Sequence, residues 1–167
     1  MRHVLRIGAV VALVAGGLAI TSAPAGAAVV SSEAQLRTAF AGASESLIVL
    51  AADITLTDCS AAGGALDRPI AGVEVTVDGG GHTVRQTCTD QGVFAGGNRY
   101  QNITIAGGTV DFVAQNGAAI DAAGPLFLTN VVITDNRGGP PFAPDFTSAA
   151  VRGTVLHIDS STFRGNF

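Results

Sequence analysis

The stretch "LFLTNVVITDNRG", residues 126–138, is written almost a second time thirty residues later as "LHIDSSTFRGNF", residues 156–167. Leu126, Leu128, Ile133 and Asn136 fall on Leu156, Ile158, Phe163 and Asn166. Within each copy, apolar residues alternate with polar ones, the period of a strand that buries one face.

Similar runs fill the chain on the N-terminal side: "SLIVL" (46–50) then "DITLT" (53–57), "VEVTV" (73–77) then "GHTVRQ" (81–86), and "NITI" (102–105). They are short, rich in Val, Ile and Thr, and bounded by Gly, Asn or Asp. Aligned by a late inward residue, Leu56, Val84, Ile105, Ile133 and Phe163 are 28, 21, 28 and 30 residues apart. Repeats of this length without intervening helices predict a solenoid, one coil per repeat. A β-sandwich would need Greek-key crossings and longer strands. The "TN", "DS" and "DGG" steps read as bends between two faces of one coil rather than hairpin turns. The expected fold is all-β, a parallel β-helix of about five coils, with those five residues in one apolar column inside the tube.

One helix precedes the strands. In "SSEAQLRTAFAGAS" (31–44), Ser32 and Gln35 have capping-box spacing and Glu33 lies in the first turn, where the helix dipole favours a carboxylate. Leu36, Ala39, Phe40 and Ala43 form one apolar stripe. An end coil of a solenoid exposes apolar surface and unpaired backbone, so residues 29–46 are expected to cap the N-terminal end, with residues 47–167 forming the coils.

Residues 1–28 read as a secretion signal. Arg2 and Arg6 open it, "IGAVVALVAGGLAI" is its apolar core, and "APAGAA" supplies small residues for cleavage near Ala27 or Ala28. The core is shorter than the roughly 20 residues that span a bilayer, and no second candidate follows. The expected location is therefore secreted, extracellular or at the cell surface, with no membrane span after cleavage.

The remaining 139 residues suffice for one domain. They carry 7 arginines, no lysine and 13 acidic residues, a poor match to a phosphate backbone, so nucleic acid is not an expected partner. The lack of lysine beside abundant Ala, Gly, Val and Arg points to a GC-rich bacterial genome. Cys59 and Cys88 in an oxidising compartment are expected to form a disulfide, with buried free thiols as the alternative. A metal site lacks the ligand spacing, and no cofactor is expected.

The quoted runs also carry a family resemblance. "QLRTAFAGASESLIVLAADITLT" (35–57), "VEVTVDGGGHTV" (73–84), "NITIAGG" (102–108), "GAAIDAAGPLFLTNVVITDN" (117–136) and "SSTFRGN" (160–166) resemble the N-terminal part of right-handed parallel β-helix proteins exported by bacteria, the pectate-lyase-like superfold. The resemblance covers residues 33–167 and implies the fold more than an activity, because this fold carries lyases, hydrolases and adhesins alike. It also implies that the pattern runs on past Phe167, so the chain is expected to be part of a longer solenoid. If it is complete, end-to-end self-association is expected instead.

Catalytic signatures are not recognisable. A pectate-type lyase needs carboxylates gathered around Ca²⁺ and a basic residue to take the proton. Here Asp78, Asp111, Asp121, Asp135 and Asp159, with Arg85, Arg99, Arg137, Arg152 and Arg164, are scattered one or two per coil and read as solvent-facing. The Asp-Asp pair and "GHG" turn of polygalacturonases are missing. His82 reads as a partly buried packing residue and His157 as an exposed strand residue, with no carboxylate spaced to orient either. The sequon at Asn102 lies inside a strand.

One segment breaks the repeat: "RGGPPFAPDFTSAA", residues 137–150. Arg137, Phe142, Asp145 and Phe146 are its candidate ligand-binding residues, two aromatics on a Pro-stiffened loop flanked by opposite charges. The alternative is that one or both Phe fold back over the coil. The reading as a whole is a structural, adhesive or carbohydrate-binding surface protein, its partner a polysaccharide or another surface component. The alternative is the N-terminal part of a polysaccharide lyase or glycoside hydrolase.

Overall fold

A computed structural model describes residues 26–42, 46–60, 65–68, 74–110, 117–138 and 150–167. The chain opens with strand β1 (Ala27–Val30) and helix α1 (Glu33–Ala41). It then winds through β2 (Leu47–Leu50), β3 (Ile54–Leu56) and β4 (Leu66–Asp67), and through β5 (Thr76–Asp78), β6 (Thr83–Gln86) and β7 (Phe94–Ala95). Next come β8 (Arg99–Ala106), β9 (Thr109–Val110) and β10 (Ile120–Asp121), then β11 (Leu126–Thr134), β12 (Arg137–Gly138) and β13 (Val151–Arg152). β14 (Leu156–Asp159) and β15 (Thr162–Arg164) finish the described chain.

Among the described residues all pairings are parallel and join each coil to the next, which makes the fold a parallel β-solenoid. The first face stacks β1-β2-β5-β8-β11-β14, continued around a bend by β3, β6, the second halves of β8 and β11, and β15. The second face stacks β4-β7-β10-β13, and a third short ladder joins β9 to β12.

The solenoid makes about three turns rather than the five coils expected from sequence. Among the described residues four strands stack on the second face, so three turns separate Leu66 from Val151, with partial coils on either side. The sequence count took the partial coils as whole ones. The inward column needs a correction too. Val84, Ile105, Ile133 and Phe163 align as expected, but the residue beside Val84 is Ile54, and Leu56 aligns with Gln86. Ile54 and Leu56 are both buried on the same face, so a slip of two residues leaves the alternation intact and the pattern cannot choose between them. Phe163, on the last coil, remains 41% exposed.

The bends between the two halves of the first face explain the "DGG", "TN" and "DS" steps. Gly80, Asn102, Asn130 and Ser160 all have φ between 49° and 57°. This left-handed conformation costs a residue with a Cβ, and Asn tolerates it best through local hydrogen bonds. Asn130 Nδ2 donates to Asn102 Oδ1 (3.0 Å) and Asn102 Nδ2 donates to Asp78 Oδ1 (3.2 Å), so the bends form a polar ladder. The sequon amide at Asn102 is thereby engaged from both sides.

Inside, Leu66, Phe94, Ile120 and Val151 of the second face meet Ile48, Val77, Tyr100 and Leu128 of the first in one core. Helix α1 closes its N-terminal end. Ser32 accepts from the Gln35 amide, and Leu36, Ala39 and Phe40 are buried. Phe40 packs against Phe94 at 5.2 Å between centroids, and Phe94 against Tyr100 at 4.9 Å. Burying one such ring contributes about 1.5–3 kcal/mol. Arg68 Nη1 donates to the carbonyls of Phe40 and Gly42, holding the helix end against the coil. Ala43, the last member of the expected stripe, lies outside the described residues.

Candidate functional site

In a solenoid the residues that alternate outward from successive coils form columns about 4.8 Å apart, the spacing of hydrogen-bonded strands. On the first face one such column is Thr76, Arg99, Phe127 and His157. The Arg99 guanidinium carbon lies 4.2 Å from the Phe127 ring centroid. On the other side the His157 ring lies 4.6 Å from Phe127, at an interplanar angle of 3°. A cation, an aromatic ring and an imidazole are thus stacked along the solenoid axis, with Arg99 and His157 exposed.

The neighbouring outward column is Asp78, Gln101, Thr129 and Asp159. Gln101 Nε2 donates to Asp78 Oδ2 (2.8 Å), while Thr129 and Asp159 are exposed. Burial pulls the Asp78 carboxyl upward, but hydrogen bonds from Gln101, the Gly80 amide and Asn102 outweigh it and hold the group below the usual aspartate range. Together the columns make a strip of hydrogen-bonding groups beside an aromatic edge and a fixed cation.

Two further charged groups are engaged by neighbouring coils. Arg152 reaches Asp121 on the neighbouring coil with Nε and, at 3.0 Å, with Nη2. Asp53 Oδ1 accepts from the Thr83 amide (2.8 Å) and lies 3.3 Å from His82 Nδ1, so a carboxylate does orient His82, contrary to the sequence expectation. That carboxylate comes from the preceding coil, 29 residues away, and only the correct Ile54–Val84 register brings it there. The Thr83 amide, ahead of His82, lowers the Asp53 pKa. Among the described residues, no three of His, Cys, Asp and Glu come together as metal ligands.

Cys59 and Cys88 form the expected disulfide, with a Cα–Cα distance of 5.4 Å. It sits where the first two coils turn off the first face, at the level that β9 and β12 occupy in later coils. Thr109 of β9 stacks on this corner, its amide donating to Gln91 O and its hydroxyl to Cys88 O. Of the four loop residues singled out in sequence, Arg137 is the exposed first residue of β12, its amide donating to Gly108 O (2.7 Å). Phe142, Asp145 and Phe146 lie outside the described residues.

Sequence reasoning missed the outward stack although half of its signal was present. Aligning Leu128 with Ile158 already places Phe127 beside His157. Arg99 joins only through the pairing of Leu128 with Tyr100, and the run "NITI" begins too late to show it.

Stacked parallel ladders, a helical cap and a disulfide at a coil corner define this chain as a disulfide-stapled parallel β-helix protein. The family model of the pectate lyase-like adhesive domain matches residues 27–138, from the first residue of β1 to the last of β12, and the chain belongs to that family. Searches of curated proteins and of solved structures return no match.

Proposed function

We propose that the chain is an exported adhesive module of the cell surface, and that the first face, around the Arg99–Phe127–His157 stack, binds an extended polysaccharide. The stack is the observation that carries this reading. Its in-line spacing of about 4.8 Å per coil presents a repeating surface to a repeating ligand. The ring edge of Phe127 offers apolar contact, Thr129 and Asp159 offer partners for hydroxyls, and Arg99 offers a fixed charge for an acidic substituent. The family's adhesive character, the disulfide and the leader-like N-terminus support placement outside the cytoplasm.

The test is sedimentation of the protein with insoluble polysaccharides and with isolated cell-wall material. Phe127→Ala together with Arg99→Ala is expected to abolish binding while the far-ultraviolet circular dichroism stays that of the parent. Undiminished binding by the folded double variant rejects this face as the ligand surface.

A further inference from the structure

We infer that the leader is removed after Ala25, so that the exported protein begins at Gly26. This inference rests on the export reading above and goes beyond it. Leader peptidases require small residues one and three positions before the cut. The run at residues 23–28 satisfies this three times: after Ala25 (with Ala23), after Ala27 (with Ala25) and after Ala28 (with Gly26). The motif favours none of them, and the fold discriminates.

Strand β1 pairs in register over its full length, Ala27 with Leu47, Ala28 with Ile48, Val29 with Val49 and Val30 with Leu50. The ladder is anchored one residue earlier, where the Gly26 carbonyl accepts from the amides of Ser46 (3.3 Å) and Leu47 (3.4 Å). A cut after Ala27 removes that carbonyl and the first pair. A cut after Ala28 leaves only Val29 and Val30 of the strand. Either cut also creates an ammonium group inside the ladder. After Ala27 it would sit on Ala28, which is partly buried and packs on the core beside α1, where charge is costly. A cut after Ala25 places the ammonium on Gly26, exposed and outside the paired strand, and keeps every bond of β1. The match to the adhesive-domain family starts at residue 27, so the matched stretch includes all of β1. The reaction is hydrolysis: a leader peptidase of the exporting cell adds water across the Ala25–Gly26 amide, giving a carboxylate on Ala25 and an ammonium on Gly26.

The experiment is N-terminal sequencing and unreduced intact mass of the protein recovered from an exporting bacterial host, for the parent and for Ala23→Arg. Ala23 occupies the required position for the cut after Ala25 alone, so the substitution leaves both other cuts available. The expected parent product starts at Gly26, and Ala23→Arg is expected to lose it, accumulating precursor or shifting to a later start. A parent product starting at Ala28 or Val29, or a Gly26 product unaffected by Ala23→Arg, overturns the inference while leaving export intact. A cell-retained chain that keeps residues 1–25 overturns the export reading with it.

Discussion

The two ends of this solenoid hold neighbouring coils together by different means. In the first two coils the strands of the first face are short and interrupted: residues 51–53 separate β2 from β3, and residues 79–82 separate β5 from β6. There the two coils are joined by the Cys59–Cys88 bond, and the cap is tied to the first of them by Glu33 of α1. Its carboxylate accepts from the Thr57 amide and hydroxyl and the Asp58 amide, and it pairs with Arg37 at 2.8 Å. In the next two coils, β8 and β11 run unbroken through the bend, for 8 and 9 residues, and the third ladder β9–β12 forms. Buried Asn136 adds a side-chain ladder. Its Oδ1 accepts from the Gly108 amide (2.9 Å), and its Nδ2 donates to Ile105 O (3.2 Å) and Asn166 Oδ1 (3.1 Å). The covalent bond stands where the strands of the first face are interrupted, and the Asn136 ladder where they run unbroken.

Reduction, or Cys59→Ser with Cys88→Ser, breaks the first device and carries the largest expected effect, a loss of about 3–4 kcal/mol of stability by the chain-entropy estimate. Denaturant unfolding with and without reductant measures it. The comparison sharpens further if amide exchange under reducing conditions quickens in β3 and β6 while β8 and β11 keep their protection.

Asn136→Ala attacks the other end. The side chain is 1% exposed, and its removal strands the Gly108 amide and the Ile105 carbonyl in the interior, at an expected cost of about 2 kcal/mol. Enlarging the neighbouring Gly108 is no remedy, because a Cβ there would meet the Ala118 carbonyl oxygen at 1.9 Å. The unfolding midpoint of the oxidised variant reports the loss.

Glu33 gives the cap a pH dependence. Burial raises its pKa, but the amides of Thr57 and Asp58 and the Arg37 guanidinium outweigh this and set it below the ordinary 4.5. A lowered carboxylate pKa means that its stabilisation is fully present above the unfolded-state value and is lost as pH falls through the folded-state value. Glu33→Gln is expected to cost about 1.5 kcal/mol at pH 7, with the difference from the parent vanishing below that window. Urea titrations from pH 7 down to acid follow it.

Asn130→Ala is the mildest change, about 1 kcal/mol, because it puts an alanine at φ +53° and removes the bond to Asn102. Asn130→Gly is expected to recover most of that loss, which separates backbone strain from the missing hydrogen bond.

The same contrast explains what was legible in the sequence. The register of β11 with β14 and β15 could be read because each apolar position recurs at one offset, thirty residues. Where β3 meets β6 the offset is also thirty residues, but Ile54 and Leu56 are equivalent under a period of two, and the wrong one was aligned. The second-face strands, two residues each, are too short to show any period, although Phe94, Ile120 and Val151 supply much of the core. Strand β1 was hidden because Ala27 and Ala28 read as the end of a leader. The Arg99–Phe127–His157 stack is invisible to any local window, since its members meet only through coil-to-coil register. Of the loop residues chosen instead, Arg137 belongs to a ladder.

For an adhesive module the disulfide has a mechanical meaning. Tension along the solenoid axis peels coils apart one ladder at a time, and each released coil lengthens the tether. Cys59 and Cys88 are 29 residues apart, so their bond withholds about 100 Å of extended chain from that lengthening. The stapled pair of coils therefore acts as a stop: under load the N-terminal end is expected to transmit force while the later coils, joined by ladders and core packing without a covalent bond, yield first and absorb it.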